Sequence, residues 1–145
     1  MRTQTLFSEH HRLLDRLYED LERHAGTADW SGARRAFAAF RDAIERHMRA
    51  EEEVLFPAYE SVHGADNALT GILRKGHRDL RSFFAEIEES LASADKDETQ
   101  ALLGTTRQII AHHDAREETE FYPAVDPLLP EGMLEKAASQ LTAPA

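Results

Sequence analysis

The chain contains two copies of one spaced set of histidine and glutamate residues, and this repeat limits the folds open to it more than any other feature. When the sequence is shifted against itself by 66 residues, the set in the first half falls on the set in the second. The three matching pairs are His11 with His77, His47 with His113, and Glu51 with Glu117. Each half, residues 1–66 and 67–132, therefore carries the same ligand-type side chains in the same order. Such an inventory predicts a site for two metal ions.

The spacing within each copy is helical. Residues four positions apart lie on one face of a helix, so His47 and Glu51 are expected to point the same way. Ile44 and Leu55 share that face, which is therefore predicted to face a core. A buried, unpaired carboxylate is costly, and a metal dication offsets that cost where water cannot. Imidazole and carboxylate donors favour iron, with zinc and manganese as alternatives.

Two adjacent histidines are candidates for the first ligand. His10 and His11 are neighbours, and helical periodicity alone favours His10, which lies nearer the centre of the first helix's leucine stripe. The repeat favours His11 instead, because His10 falls on Gly76 in the shifted sequence. We predict six ligands, with His10 as the main alternative. They are His11, His47, Glu51, His77, His113 and Glu117, with each glutamate able to bridge two equivalent metals.

Periodicity predicts an all-α chain. Helices are expected over about residues 3–24, 30–60, 67–92 and 96–125, followed by a short amphipathic tail over 133–141. The first helix carries an apolar stripe of leucines, namely Leu6, Leu13, Leu14, Leu17 and Leu21. Pro57 and Pro123 occupy equivalent positions of the repeat and are expected to bend or end their helices. The prediction is one domain, 1–145, folded as an up-down-up-down antiparallel four-helix bundle with a short C-terminal helix.

Composition excludes several partners and chemistries. The formal charge of −10 argues against nucleic acid and against an anionic membrane surface. The absence of cysteine rules out disulfides and thiolate ligands. The sequence shows neither a signal peptide nor an apolar run of the roughly 20 residues that a membrane span needs. A cytoplasmic location is therefore expected.

Four segments together resemble the hemerythrin-like (HHE cation-binding) family over residues 5–128. They are E-H-H-R-L-L-D-R-L-Y, H-M-R-A-E-E-E-V-L-F-P, L-R-K-G-H-R-D-L and H-D-A-R-E-E-T-E-F-Y-P. The resemblance implies a four-helix bundle around a non-haem di-iron centre with oxo or hydroxo and carboxylate bridges. The four predicted histidines would be terminal ligands of that centre, and Glu51 and Glu117 would be its bridging carboxylates.

The chain departs from the oxygen-carrying members of that family at one ligand position. Those proteins have a further histidine one helical turn before the third one, where this chain has Leu73, and a His-x-x-x-x-Asp motif in the last helix. Fewer protein ligands leave more open metal positions, which favours small-molecule chemistry over reversible oxygen carriage. The expected function is binding or sensing of dioxygen, peroxide or nitric oxide. The alternatives are a di-iron enzyme acting on peroxide or nitric oxide, an iron storage or donation protein in stress repair, and a bundle that metal merely stabilises.

The remaining acidic residues near the motifs are expected to have supporting roles. Glu52, Glu53 and Glu118 follow the bridging glutamates and are predicted to face solvent or to contact the ligands rather than the metals. The sequence does not identify a protein partner.

Overall fold

The computed structural model describes residues 2–142, and these residues form helices joined by short turns. The helices are α1 Arg2–Gly26, α2 Trp30–Ala50, α3 Phe56–His63, α4 Ala68–Ala92, α5 Lys96–Arg116, α6 Tyr122–Val125 and α7 Glu131–Thr142. Within 2–142 there is no strand, which confirms the all-α prediction. No helix in this range is both long and apolar enough to cross a membrane. The predicted domain, 1–145, also includes Met1 and 143–145, which lie outside the described residues.

Side-chain caps start three of the long helices. The Asp29 carboxylate accepts a hydrogen bond from the backbone N–H of Gly32 at 3.1 Å, which begins α2. Asn67 caps α4 and Asp95 caps α5 in the same way. Such caps satisfy N–H groups that the first helical turn leaves unpaired. The connections they follow are only a few residues long, so consecutive helices lie side by side.

A wider, π-helical turn joins α2 to α3, and a second one joins α5 to α6. The first spans Glu51–Leu55 and the second Glu117–Phe121, so each begins at a predicted bridging glutamate. In each turn the residue five positions on donates its N–H to the glutamate carbonyl. The departure from regular helix therefore lies just before Pro57 and Pro123, whose missing N–H groups make a regular turn there unfavourable. Turns of this kind occur frequently at functional sites.

The long helices pack around a shared interior. Helix α1 packs along α2 and against α5, while α4 packs along α5 and against α2. The buried face of α1 includes Phe7, Leu14, Tyr18 and Leu21. The predicted leucine stripe is wrong at Leu13, which is 37% exposed. The larger rings of Phe7 and Tyr18 occupy the interior, which turns Leu13 toward solvent.

Two apolar clusters lie on either side of the predicted ligands along the bundle. In α1, Phe7 of one cluster precedes His11 by one turn and Leu14 of the other follows it. In α4, Leu73 and Leu80 flank His77 in the same way. The ligand layer is thus closed above and below by packed side chains, which keeps bulk water away from it.

The predicted C-terminal helix is α7, and it extends a little beyond the predicted tail at both ends. Leu134, Ala137 and Leu141 are buried against the bundle. Arg46 of α2 donates from Nε to the backbone carbonyl of Leu141 at 3.2 Å. Helix α7 therefore packs against α1, α2 and the first π-helical turn.

Replacing Leu80 by alanine is expected to lower the free energy of unfolding by about 2–5 kcal/mol, because the change leaves a cavity in a packed core. Leu80 is 2% exposed. The matched control is Ile72→Ala in the same helix, where the side chain is 48% exposed and the expected change is within about 0.5 kcal/mol. Urea denaturation of both variants measures the difference, and equal losses would contradict the described packing.

Candidate metal centre

Six side chains converge at the centre of the bundle, four from the long helices and two from the π-helical turns, and they are the six predicted from the repeat. They form two groups, each able to bring one ligand atom per residue within 4.8 Å of the others. We name the groups site A and site B. Site A is His11, His47, Glu51 and Glu117; site B is Glu51, His77, His113 and Glu117.

Both glutamates belong to both sites because their two oxygens point in different directions. One oxygen of each carboxylate approaches a histidine of site A, and the other approaches a histidine of site B. The four contacts are Glu51 Oε2 to His47 Nε2 at 3.3 Å, Glu51 Oε1 to His77 Nε2 at 3.0 Å, Glu117 Oε1 to His11 Nε2 at 3.1 Å, and Glu117 Oε2 to His113 Nε2 at 3.3 Å. This arrangement suits a carboxylate bridge between two metal ions.

The donor atoms fit metal ions better than they fit one another. Ligands about 2.1 Å from one ion and at right angles to each other lie about 3.0 Å apart, close to the separations observed. Glu51 and Glu117 are both 0% exposed. Glu117 Oε2 and His113 Nε2 are buried and lack a hydrogen-bond partner although they face each other. A buried polar atom without a partner is destabilising, and a shared cation would satisfy both atoms.

Carboxylates orient one histidine of each site. His11 Nδ1 lies 2.7 Å from Glu118 Oε2, and His77 Nδ1 lies 2.6 Å from Glu52 Oε2. Arg81 holds Glu52 in turn, with contacts of 2.8 and 3.0 Å. When Nδ1–H donates to the carboxylate, the Nε2 lone pair faces the site, which is the form that binds metal. Glu52 and Glu118 therefore support ligands, as one of the sequence interpretations has it.

His10, the alternative first ligand, lies outside both groups. Its Nδ1 is 2.8 Å from Nδ1 of His47, and the two rings stack with centroids 5.0 Å apart. Burial, followed by the nearby charge of His47, lowers the pKa of His10 to about 3. A neutral His10 can accept a hydrogen bond from His47 Nδ1–H and so hold the His47 ring with Nε2 toward site A.

Tyr122 also reaches site A, and the ligand motifs gave no indication of this. Its hydroxyl donates to Glu51 Oε2 at 2.6 Å and lies 3.0 Å from Glu117 Oε1. It lies 3.2 Å from His11 Nε2 and 3.3 Å from His47 Nε2. Burial and the charges of the two glutamates raise the pKa of Tyr122 well above its usual range.

Asp114 is, after Tyr122, a second residue near site A that was not predicted from the sequence. Its Oδ1 lies 3.3 Å from His11 Nε2. Burial raises the pKa of Asp114 to about 7 despite the nearby charge of His11. The repeat did contain a signal for both residues, since Tyr122 falls on Phe56 and Asp114 on Met48 in the shifted sequence. Each is a polar residue where the other half has an apolar one.

Gly76 supports site B by leaving space. A Cβ at this position would lie 2.6 Å from Nδ1 and 3.0 Å from Cε1 of His113, closer than real atoms approach. Gly76 is the repeat partner of His10. His47 of site A therefore packs against the ring of His10, whereas His113 of site B packs against the backbone at Gly76.

Without a metal, protons supply positive charge to the site. Burial lowers the pKa of His11, but hydrogen bonds and charges from Glu117, Asp114 and Glu118 outweigh it and raise that pKa to about 10. His77 is raised to about 9 for the same reason by Glu51 and Glu52. Burial raises the pKa of Glu117, but the charge of His113 and its other histidine contacts hold it well below its usual range.

The metal-free protein is expected to lose stability as the pH rises. His11 and His77 bind protons more tightly in the folded state, with pKa values of about 10 and about 9 against 6.5 unfolded. Their contribution is therefore complete below about pH 6.5 and disappears as the pH passes through 9 and 10. Urea denaturation in the presence of a chelator, from pH 6 to pH 9, tests this. Stability that rises over this range would contradict the charge assignment.

Gly76→Ala is expected to displace the His113 ring and to weaken metal binding in site B. The matched control is Gly71→Ala in the same helix, where a Cβ meets no atom within 4 Å. That control should bind metal normally and gain roughly 0.5–1 kcal/mol of stability from the better helix former. Metal stoichiometry and unfolding of both variants decide the matter. Normal metal binding by Gly76→Ala would show that His113 does not need its present position.

The sequence-family model of the hemerythrin HHE cation-binding domain matches residues 3–125 of this chain. This range includes all six ligand-type residues of sites A and B. No match was found among curated proteins or among solved structures.

Proposed function

Because the chain belongs to the hemerythrin HHE cation-binding family, we propose that it binds two iron ions in sites A and B and uses them to bind or sense dioxygen, peroxide or nitric oxide. The observation that carries this proposal is the pair of fully buried glutamates, each shared between a histidine of site A and a histidine of site B. His11 and His47 would be the terminal ligands of one ion, and His77 and His113 those of the other. Glu51 and Glu117 would bridge them.

The donor chemistry supports a transition metal over hard cations. Two imidazole nitrogens per site, together with shared carboxylate oxygens, suit iron, zinc or manganese, whereas magnesium and calcium prefer oxygen donors alone. Iron is the proposed metal because of the family resemblance. When bound, an iron pair supplies one-electron redox steps and open positions for a small exogenous molecule.

Leu73 supports binding or sensing over reversible oxygen carriage. It is fully buried one helical turn before His77, at the position where the oxygen-carrying relatives have a further histidine. An apolar side chain cannot bind a metal, so site B keeps only His77 and His113 as imidazole donors. A less fully occupied metal offers more room for peroxide or nitric oxide as well as dioxygen.

One surface cavity lies beside each site. A cavity of about 390 Å³ is lined by His11, Asp114 and Ile110 among others and approaches site A. A second cavity, of about 490 Å³, is lined by Gly76 and His113 and approaches site B. The ligand side chains themselves are between 0% and 10% exposed, which suits diatomic molecules and peroxide and excludes large substrates.

The proposal includes the up-down-up-down direction of the long helices. The connections 27–29, 64–67 and 93–95 are each only three or four residues long, which supports antiparallel neighbours. In that arrangement the two halves are related by a pseudo-twofold axis through the shared glutamates.

Metal analysis of anaerobically purified protein, supplemented with ferrous iron, tests the function. The expected result is two irons per chain, with absorption spectra that change on addition of dioxygen, peroxide or nitric oxide. A chain that takes up no iron would overturn the proposal. Continued consumption of peroxide or nitric oxide beyond the amount of bound iron would instead establish the enzymatic alternative.

Removing a shared glutamate should affect both metals, whereas removing a terminal histidine should affect one. Glu117→Ala is expected to weaken both sites by more than the roughly 10–100-fold lost when a ligand's supporting partner is removed. His77→Ala should weaken only site B and leave one iron per chain. The control is Glu53→Ala, since Glu53 contacts Gln140 at the surface. Competition titrations with a chelator measure the affinities, and one retained iron in Glu117→Ala would show that this carboxylate is not shared.

A further inference from the structure

The two sites have matching ligands but different surroundings, and the polar residues that set them apart contact the histidines of site A. At three pairs of repeat-related positions, the residue of one half is polar and contacts a ligand histidine, whereas the other half has an apolar residue or glycine. The pairs are His10 with Gly76, Asp114 with Met48, and Tyr122 with Phe56. His10, Asp114 and Tyr122 all contact histidines of site A. At site B the Phe56 ring lies beside His77, with centroids 5.3 Å apart, and offers no donor atom.

The hydroxyl of Tyr122 lies within hydrogen-bond distance of four ligand-type atoms of site A. Four such atoms lie between 2.6 and 3.3 Å from it, namely Glu51 Oε2, Glu117 Oε1, His11 Nε2 and His47 Nε2. Tyr122 is 0% exposed, so bulk water does not reach this group of atoms. A phenol in this position can satisfy only one acceptor at a time.

The distances are those of donor atoms around one cation. Five donors at about 2.1 Å from an ion in a square pyramid lie about 3.0 Å apart when adjacent and about 4.2 Å apart when opposite. Glu117 Oε1 is 3.1 Å from His11 Nε2, as adjacent corners would be, and 4.0 Å from His47 Nε2, as opposite corners would be. The phenol oxygen lies 2.6 to 3.3 Å from all four corners, close to the 3.0 Å expected of an atom at the apex.

We propose that the Tyr122 oxygen is a fifth protein ligand of the metal in site A, which makes the two metals chemically distinct. This inference rests on the proposed two-metal function. On binding, the O–H bond breaks, the proton leaves to solvent, and the phenolate oxygen donates its electron pair to the metal, so no oxidant or reductant is needed. Site A then has two imidazoles, two carboxylate oxygens and one phenolate. Site B has four protein donors and keeps an open position for the exogenous molecule.

Visible absorption of the ferric protein tests this assignment, because phenolate bound to ferric iron gives an intense charge-transfer band that histidine and carboxylate ligands do not. Protein loaded with ferrous iron without oxygen, and then oxidised in air, should show this band. Tyr122→Phe should lose it completely and should bind iron in site A roughly 10–100-fold more weakly. The matched control is Tyr18→Phe, since Tyr18 is also buried but its hydroxyl donates to the Leu103 carbonyl at 2.6 Å.

A second variant keeps the test decisive if Tyr122→Phe does not fold. The chain has three tyrosines, so replacing both Tyr18 and Tyr59 by phenylalanine leaves Tyr122 as the only one. Resonance Raman spectra of that variant, excited in the visible band, should show phenolate ring vibrations.

Iron content measured on the same samples separates the outcomes. Two irons with the band lost only in Tyr122→Phe support the assignment. Two irons without any phenolate band overturn it and leave the two-metal function standing. One iron with the band overturns the two-metal function and keeps Tyr122 as a ligand. A chain that binds no iron overturns both.

Discussion

The burial of two carboxylates in the middle of a small bundle is the constraint on which the rest of the structure depends. Glu51 and Glu117 have no access to water, and so their charge must be balanced from within the protein. Histidines on all four long helices point at them, and further carboxylates hold two of those rings in place. In the metal-free chain, raised pKa values on His11 and His77 provide part of the balance. The same atoms are placed for cations.

The sequence predicted the helices well because periodic apolar positions and strong caps agree along most of the chain. It predicted the six ligand-type residues because the repeat compares each half with the other, which separated His11 from His10. The same comparison directs attention to what the halves share. Tyr122 and Asp114 have no counterpart of the same type in the other half, so a search for shared residues does not predict them as part of the site. The prediction that Leu13 lies on the buried face was wrong for a different reason. The spacing of leucines alone does not show that aromatic rings such as those of Phe7 and Tyr18 occupy the core.

A duplicated framework with unequal surroundings separates two requirements. The matched positions fix where the metals can lie, since each glutamate must reach both. The unmatched positions, among them His10 and Gly76, set how firmly each histidine is held and which other atoms come near. Substitutions at the unmatched positions can therefore change the character of one site while the shared carboxylates keep the spacing between the sites.

The two π-helical turns have a consequence for helical phase. Each carries one residue more than a regular turn, and one residue corresponds to about 100° of rotation about the helix axis. Everything beyond Glu51 and beyond Glu117 is rotated by that angle relative to an uninterrupted helix. The rings of Phe56 and Tyr122 owe their inward direction to this offset. Regular α-helical winding of the same residues from Glu117 to Phe121 would instead turn the phenol of Tyr122 by about 100°, out of the bundle interior.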